Sequence, residues 1–236
     1  APYRYYIANV NDMKSGSIEK WLLSTLSVSN SLFESKSIKD RIVLEDVPSG
    51  REYLEPIIDA MKKNRFIHIC YFNYWKGDTR DHYIMPLCVK LFRQRWYMVG
   101  RNWPAGRNLV FCLDRIRDFR ISSHTFKFPE DFDTQEYFNG CIGVIPGDRC
   151  GIEKVKIKVS SGQANYLRDL PLHDSQQETE QTDEYSIFEL QVRPTFDFQQ
   201  ELLWNGEDLE VLEPLWLRKE VAGKIKRMWN RYKEDE

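Results

Sequence analysis

The sequence has no long hydrophobic run and almost no excess of charge, and each absence excludes a class of protein. No apolar stretch in the 236 residues approaches the roughly 20 needed to cross a bilayer. The N-terminus lacks the basic, apolar and small-residue order of a secretory signal. The formal net charge of -2 excludes a chain that is basic overall, so any affinity for anions must be local.

Cysteine is also sparse, which bears on metals and on the cellular compartment. The five cysteines are an odd number and lack the CxxC spacing of zinc sites. Cys70, Cys88 and Cys112 fall in apolar, strand-like stretches, where a free thiol usually packs as a small hydrophobic group. We therefore expect structural thiols and a reducing, cytoplasmic location.

Motifs of catalysis are missing as well. The four histidines are scattered and form no HxH or HExxH pattern, and there is neither a GxSxG elbow nor a GxxxxGK phosphate loop. The acidic stretch 174–189 lacks the spacing of a calcium loop and is typical of a solvated loop. We expect no enzyme, no metal and no cofactor; an enzyme acting on nucleic acid is the weakest of three hypotheses.

What the sequence does contain is a local concentration of arginines among aromatic residues. The 42% hydrophobic and 14% aromatic fractions are those of a folded globular protein. Between positions 90 and 120 only Asp114 and Asp118 oppose eight basic residues. These residues are Lys90, Arg93, Arg95, Arg101, Arg107, Arg115, Arg117 and Arg120. We expect an aromatic and basic stretch of this kind to contact an anion.

The hydrophobic periodicity divides the chain into a linker, a small barrel and a second domain. Residues 1–49 predict a strand (3–10), an amphipathic helix from Ile18 and a strand (41–47), and this region is either docked on the body or part of a dimer interface. Residues 50–128 predict a helix over 51–64 and then five short strands with no helix between them. A turn around Gly77 and Asp78 follows the first strand, the second strand ends at Pro86, and the third and fourth meet near Arg93 and Gln94. Such a pattern is typical of a small SH3-like or Sm-like barrel.

The second half changes its pattern after Gly151. Residues 129–150 predict a connector with one short helix. Residues 151–236 predict the order β-α-β-β-α-β, with 170–177 as the second strand, and then a final amphipathic helix. That order is the ferredoxin-like arrangement. The predicted fold class is therefore α+β, a barrel followed by a ferredoxin-like domain.

Side-chain alternation predicts which residues share a face of the barrel strands. Trp96, Met98 and Gly100 face one way, towards the core, whereas Tyr97 and Arg101 face the other. If residues 108–122 form one continuous strand, Arg115 shares the face of Phe111. Each arginine either pairs with a carboxylate such as Asp114 or contributes to an anion site, and the residues alone leave both open.

Two motifs carry a family resemblance. Residues 96–101, WYMVGR, and residues 111–116, FCLDRI, resemble the signature of WYL domains, which are Sm-like barrels found mostly in bacterial transcription regulators. The resemblance extends over residues 50–233, because residues 152–232 resemble the extension that follows many WYL domains. Met98 replaces the family's leucine, a volume-conserving change that should be harmless.

The resemblance implies a regulator that senses a ligand. The implied effector is anionic, a nucleotide or single-stranded DNA or RNA, and operator DNA would be read by a winged helix-turn-helix that does not precede residue 1 here. A homodimer is also expected. The candidate ligand contacts carried over by position are Tyr71, Arg80, His82, Tyr97, Arg101 and Arg115.

A second hypothesis needs no small ligand. In it the chain is an interaction or oligomerisation module, and the arginines pair with acidic loops such as 174–189 within the chain or across a dimer. The two hypotheses differ in whether Arg101 serves binding or stability.

Overall fold

The structure is a computed structural model that describes residues 50–146 and 150–233. The predicted linker with its strands 3–10 and 41–47 and its helix lies outside the described residues. Within them, two antiparallel sheets and several helices confirm the predicted α+β class. No described helix is long and apolar enough to cross a membrane.

The first half contains one helix and a five-stranded antiparallel sheet. Along this sheet, the first sheet, the strands are ordered β4-β3-β2-β1-β5. The elements are α1 (Arg51–Lys62), β1 (Arg65–Asn73), β2 (Asp78–Phe92), β3 (Arg95–Asn102), β4 (Asn108–Cys112) and β5 (Ile116–Thr125).

Two strand boundaries differ from the prediction. Pro86 does not end a strand, because β2 continues through it. A bulge lies between Pro86 and Cys88, and a bulge tolerates proline, which has no N–H to donate to the neighbouring strand. The predicted strand 108–122 is instead two strands, separated by a 3-10 turn over Leu113–Arg115. The errors compensate, so the predicted number of five strands agrees with the structure. The predicted β2–β3 turn is present, with positive φ at both Arg93 and Gln94.

The 3-10 turn is held in place by the start of α1. Gly50 has φ 63°, and a Cβ there would lie 2.4 Å from the carbonyl carbon of Leu113. Only glycine allows this approach, because it combines a left-handed backbone with no side chain. The helix then buries Ile57 and Ala60 against the sheet. The backbone next to Arg115 is therefore packed against the start of α1.

The two faces of the first sheet bury different sets of residues. We call the inner face the one that carries Ile67, Ile69 and Ile84, which are at most 1% exposed and pack with α1. Burying each such side chain contributes about 1.5–3 kcal/mol. On the outer face Val99 packs against Phe132 of the connector. Trp96 packs on the inner-face cluster, as the alternation predicted.

The second half contains a four-stranded antiparallel sheet, the second sheet, ordered β7-β8-β6-β9. The strand predicted over 170–177 is wrong except at its last residue, because residues 170–176 form turns and bends and β7 begins at Gln177. The elements are α2 (Thr134–Tyr137), β6 (Glu153–Ser160), α3 (Ser161–Asp169), β7 (Gln177–Gln181), β8 (Tyr185–Val192), α4 (Phe196–Trp204), β9 (Leu209–Glu213) and α5 (Leu215–Tyr232).

The two halves meet at the β2–β3 turn and the connector. Arg93 donates to the Glu201 carboxylate of α4 at 2.5 Å and lies over the Trp204 ring. Lys90 lies 4.1 Å from the centre of the Phe138 ring, and burial lowers the pKa of its ammonium group. These basic residues of the first sheet are thus occupied by contacts within the chain.

Candidate functional site

Three aromatic rings form a cluster at one end of the inner face. The ring centres of Tyr71 and His82 each lie 5.1 Å from that of Phe111, and they lie 6.4 Å from one another. Strand pairing produces this cluster, because Ile69 is opposite His82 and Met98 is opposite Phe111. Side chains that are directly opposite or two residues apart share a face.

The Tyr71 hydroxyl is fixed by the end of β4. It accepts a hydrogen bond from the backbone N–H of Cys112 at 3.1 Å. Burial raises the pKa of Tyr71, and the Cys112 bond and the neighbouring Arg115 offset part of that rise. Arg115 therefore lies beside the Tyr71 hydroxyl, and the phenol is neutral at physiological pH.

Arg80 and His82 flank Tyr71 from β2. Arg80 is directly opposite Tyr71 in the strand pair. Its side chain is 51% exposed, and the Asp78 carboxylate accepts from its Nε at 3.0 Å and from its Nη2 at 2.9 Å. Burial lowers the pKa of His82, and a hydrogen bond with Asn102 opposes the shift. The imidazole is accordingly a neutral hydrogen-bonding group near pH 7, and the cation at this end of β2 is Arg80.

Arg115 projects from the 3-10 turn and not from a continuous strand. Its guanidinium carbon lies 4.1 Å from the centre of the Tyr74 ring, a cation–π geometry. Its buried Nε has no hydrogen-bond partner among the described residues. Arg115 forms no ion pair with a described carboxylate either. A guanidinium with a free donor next to a tyrosine suits an anionic oxygen.

Tyr97 and Arg101 lie on the outer face, across the sheet from this cluster. Burial raises the pKa of Tyr97 to about 12, with Cys112 adding to the rise and Arg95 and Arg115 opposing it. Tyr97 thus remains within electrostatic range of Arg115. The six predicted contacts do not form a single surface: Tyr71, Arg80, His82 and Arg115 come together, whereas Tyr97 and Arg101 lie behind them.

Arg101 is bound within the chain. Its Nη1 and Nη2 donate to the two oxygens of the Asp131 carboxylate, each at 3.1 Å, and its Nε donates to Asn108 at 3.0 Å. The Arg101 side chain is 18% exposed. The same interaction lowers the pKa of Asp131. A guanidinium that already holds a carboxylate in this two-pronged geometry has few donors left for a ligand.

Other basic residues of the stretch are occupied in similar ways. Arg95 pairs with Asp114, whose side chain is 7% exposed, and Arg120 pairs with Asp118. Arg117 lies 5.4 Å from the Phe72 ring. The carboxylates that pair with these arginines are not those of the acidic stretch 174–189. In that stretch Glu178 pairs with Arg168, and Glu189 with lysines of β6.

The turn between β1 and β2 was predicted around Gly77 and Asp78, but its aromatic residues were not singled out. The turn carries Tyr74 and Trp75, which are 54% and 94% exposed, and the Phe72 ring meets that of Tyr74 at 5.7 Å. Turns favour glycine, proline, asparagine and aspartate. The sequence signal for a functional turn was therefore the presence of two aromatic residues between Asn73 and Gly77.

A groove of about 590 Å³ lies on the opposite side of β1 from Tyr71. Its lining includes Cys70, Asp81, Asp118 and Arg120. Both carboxylates are directly opposite Cys70 in the strand pairs. Desolvation and the Asp81 carboxylate raise the pKa of the Cys70 thiol. Two carboxylates disfavour an anion in this groove, so it is not part of the candidate site.

The described part of the chain contains no cluster of side chains suited to binding a metal ion. Within residues 50–146 and 150–233 no three His, Cys, Asp or Glu side chains are arranged to hold a metal ion. The five cysteines are free thiols. The candidate site is a set of arginines and aromatic rings.

Two domain families match the chain. Residues 52–121 match the WYL domain and residues 152–229 match the WCX domain, which together cover more than half of the sequence. The chain therefore belongs to the proteins with a WYL domain. It belongs, more narrowly, to those in which a WCX domain follows the WYL domain. The family that residues 96–101 and 111–116 suggested is confirmed.

Two solved structures are similar to part of this chain. One is the proteasome accessory factor B/C (PafBC) of Arthrobacter aurescens, with 19% identity and a TM-score of 0.39, over 76% of this chain and 27% of that one. The other is described as a CRISPR Cas-related protein, with 14% identity and a TM-score of 0.44, over 78% of this chain and 55% of that one. This chain thus spans about a quarter of the first protein and about half of the second, and neither likeness supports a functional assignment. No curated protein matches the chain significantly.

Proposed function

We propose that this chain is the effector-sensing region of a cytoplasmic transcriptional regulator and that its WYL domain binds an anionic, nucleotide-like ligand without catalysis. The proposed contacts are Tyr71, Arg80, His82 and Arg115. Operator DNA would be read by another domain of the regulator. The WYL and WCX domains support the regulatory class.

One observation carries the proposal, the environment of Arg115. A guanidinium with an unpartnered Nε lies beside the Tyr71 hydroxyl and against the Tyr74 ring. Leaving a buried donor unsatisfied costs about 1–3 kcal/mol. A bound phosphate oxygen would satisfy it, and the neighbouring rings offer faces to a base.

The fold supports the same family-level proposal in finer detail. We propose that the first sheet is an Sm-like barrel, because five antiparallel strands follow one helix with short turns. We propose that the second half is ferredoxin-like, because its element order and its strand order β7-β8-β6-β9 are those of a split βαβ pair.

The interaction module is the second candidate function, and Arg101 favours it. This arginine joins β3 to the connector through Asp131 instead of facing the cluster of Tyr71. A homodimer would also provide a partner for the exposed apolar residues of α5, such as Trp229 at 61% exposure. A module of this kind binds no small anion, so the ligand experiment separates the two.

The test is the binding of a fluorescein-labelled oligothymidylate of about eight nucleotides, with cyclic nucleotides as competitors. Arg115→Ala should weaken binding about tenfold or more, the value of one charge-assisted hydrogen bond. The control is Arg107→Ala, which removes an exposed arginine of the β3–β4 turn on the same sheet. The circular-dichroism melting curve of each variant checks that it folds.

Salt dependence provides an independent measure. The logarithm of the binding constant should fall with the logarithm of salt concentration by about 0.7 for each phosphate contacted on a single strand. Arg115→Ala should reduce that slope by roughly one contact, and Arg107→Ala should not. Equal affinities and equal slopes for wild type and Arg115→Ala would contradict the assigned site. If none of the anions binds, the result favours the interaction module.

A further inference from the structure

The turn between β1 and β2 exposes two large rings next to the proposed site. Tyr74 is 54% exposed and Trp75 is 94% exposed, the highest value among the exposed large hydrophobic residues described. An indole in water contributes nothing to the core of this domain. A large exposed ring that adjoins a polar cluster is a common mark of a binding surface.

Hydrogen bonds hold the backbone of the turn that carries Trp75. The Oδ1 of Asn73 accepts from the backbone N–H of Trp75 at 2.9 Å and from that of Lys76 at 3.1 Å. The N–H of Gly77 donates to the Asn73 carbonyl at 2.8 Å, and Gly77 takes the positive φ of 66° that closes the turn. A ligand that contacts Trp75 therefore pays little entropy for ordering the loop.

The charges around the turn are positive. Arg115 lies 4.1 Å from the Tyr74 ring and Arg117 lies 5.4 Å from the Phe72 ring. Lys76 is at the tip and exposed to solvent. Neither Arg115 nor Arg117 forms an ion pair with a carboxylate in the described part of the chain. Cations next to an exposed aromatic ring, here that of Trp75, are the composition with which proteins bind single-stranded nucleic acid.

We infer that Trp75 is a base-stacking residue and that the ligand is a single strand of more than one nucleotide. One phosphate contacts Arg115 beside Tyr71, and a neighbouring base lies on the Trp75 indole at the end of the hairpin. A mononucleotide would engage the first position and leave the indole empty. This inference rests on the proposed function, because it extends the same site along the β1–β2 turn.

The experiment compares two labelled probes of equal charge, an oligothymidylate of about eight nucleotides and an abasic oligomer of the same length. Trp75→Ala should weaken binding of the oligothymidylate about 5- to 100-fold, the effect of one lost stacked base. It should leave binding of the abasic oligomer unchanged. Trp75→Phe should retain most of the affinity. The matched control is Trp229→Ala, which removes a 61% exposed indole from α5.

The outcomes distinguish this inference from the proposed function. If Arg115→Ala weakens both probes but Trp75→Ala weakens neither, the anion site stands and the stacking role is refuted. If Trp75→Ala weakens both probes equally, the indole acts through the structure of the turn and stacking is again refuted. If wild type prefers neither probe over the other, bases are not read at all. If wild type binds neither, the proposed function fails and this inference fails with it.

Discussion

Removing the Asp114 carboxylate should destabilise the WYL domain by about 2–3 kcal/mol. The change should not remove a ligand contact. Asp114 lies in the 3-10 turn directly before Arg115, and its Oδ2 accepts from Arg95. The Asp114 side chain is 7% exposed and that of Arg95 is 31% exposed. The pair is therefore intermediate between a surface ion pair and a buried one.

The two limits fix the expected magnitude. Exposed ion pairs contribute about 0.2–1 kcal/mol. Breaking a fully buried pair by removing one partner costs about 3–5 kcal/mol, because a charge is left uncompensated. Arg95 retains access to water, which moves the expected cost of Asp114→Ala below the buried limit. The carboxylate itself is almost fully covered, which keeps the cost above the surface range.

Urea unfolding measures this cost, and a double-mutant cycle identifies its source. Asp114→Ala should lower the unfolding midpoint with little change in the slope of the transition. Arg95→Met should be destabilising alone, and the double variant should recover part of the loss, because the unpaired charge is gone. A loss below about 0.5 kcal/mol, the size of surface substitutions in general, would refute the reasoning. Strict additivity of the two single changes would refute it as well.

Three further expectations follow from individual contacts. Arg101→Ala should leave oligothymidylate affinity unchanged and should raise the lowered pKa of Asp131 towards its ordinary value, which carboxyl NMR titration measures; a loss of affinity would return Arg101 to the site. Gly100→Ala would place a Cβ 2.2 Å from Cγ2 of the buried Ile84 and should cost about 1–3 kcal/mol in urea unfolding, whereas an unchanged midpoint would show that β2 yields. His82 has a pKa lowered by burial, so below about pH 6.5 the unfolded state takes up a proton that the folded state does not. Stability should therefore fall as pH drops below that value, and His82→Asn should flatten this dependence between pH 7.5 and 5.5; an equal slope in both proteins would contradict it.

Alternation along β3 was predictable because a strand has a side-chain period of two. Once Met98 is assigned to the core, Tyr97 and Arg101 are forced to the other face, and the structure has them there. The same alternation shows that Tyr71 and Arg101 belong to opposite faces, but only after β1 and β2 are paired in register. That register is a long-range property, and local periodicity does not contain it.

The break between β4 and β5 depends on a contact that sequence reasoning does not reach. Residues 108–122 were predicted as one strand because apolar residues alternate at Leu109, Phe111 and Leu113 and again, in the same phase, at Phe119 and Ile121. The structure interrupts them because the backbone of Leu113 meets Gly50, 63 positions earlier, at the start of α1. Arg115 consequently projects from a turn, beside Tyr71 and Tyr74. Strand alternation had likewise grouped Arg115 with Phe111, whose ring contacts that of Tyr71.

The arginines of residues 90–120 provide less unpaired positive charge than their number suggests. Four of them neutralise carboxylates within the described chain: Arg93, Arg95, Arg101 and Arg120. Arg115 and Arg117 instead lie on aromatic rings at the β1–β2 end of the sheet. An ion pair cancels the field that a distant anion feels, whereas a cation on a ring keeps its charge. Apart from Arg107 in the β3–β4 turn, the uncancelled charge of these arginines therefore lies at the end of the sheet where Tyr71, Tyr74 and Trp75 provide aromatic surface, and the anion should bind there.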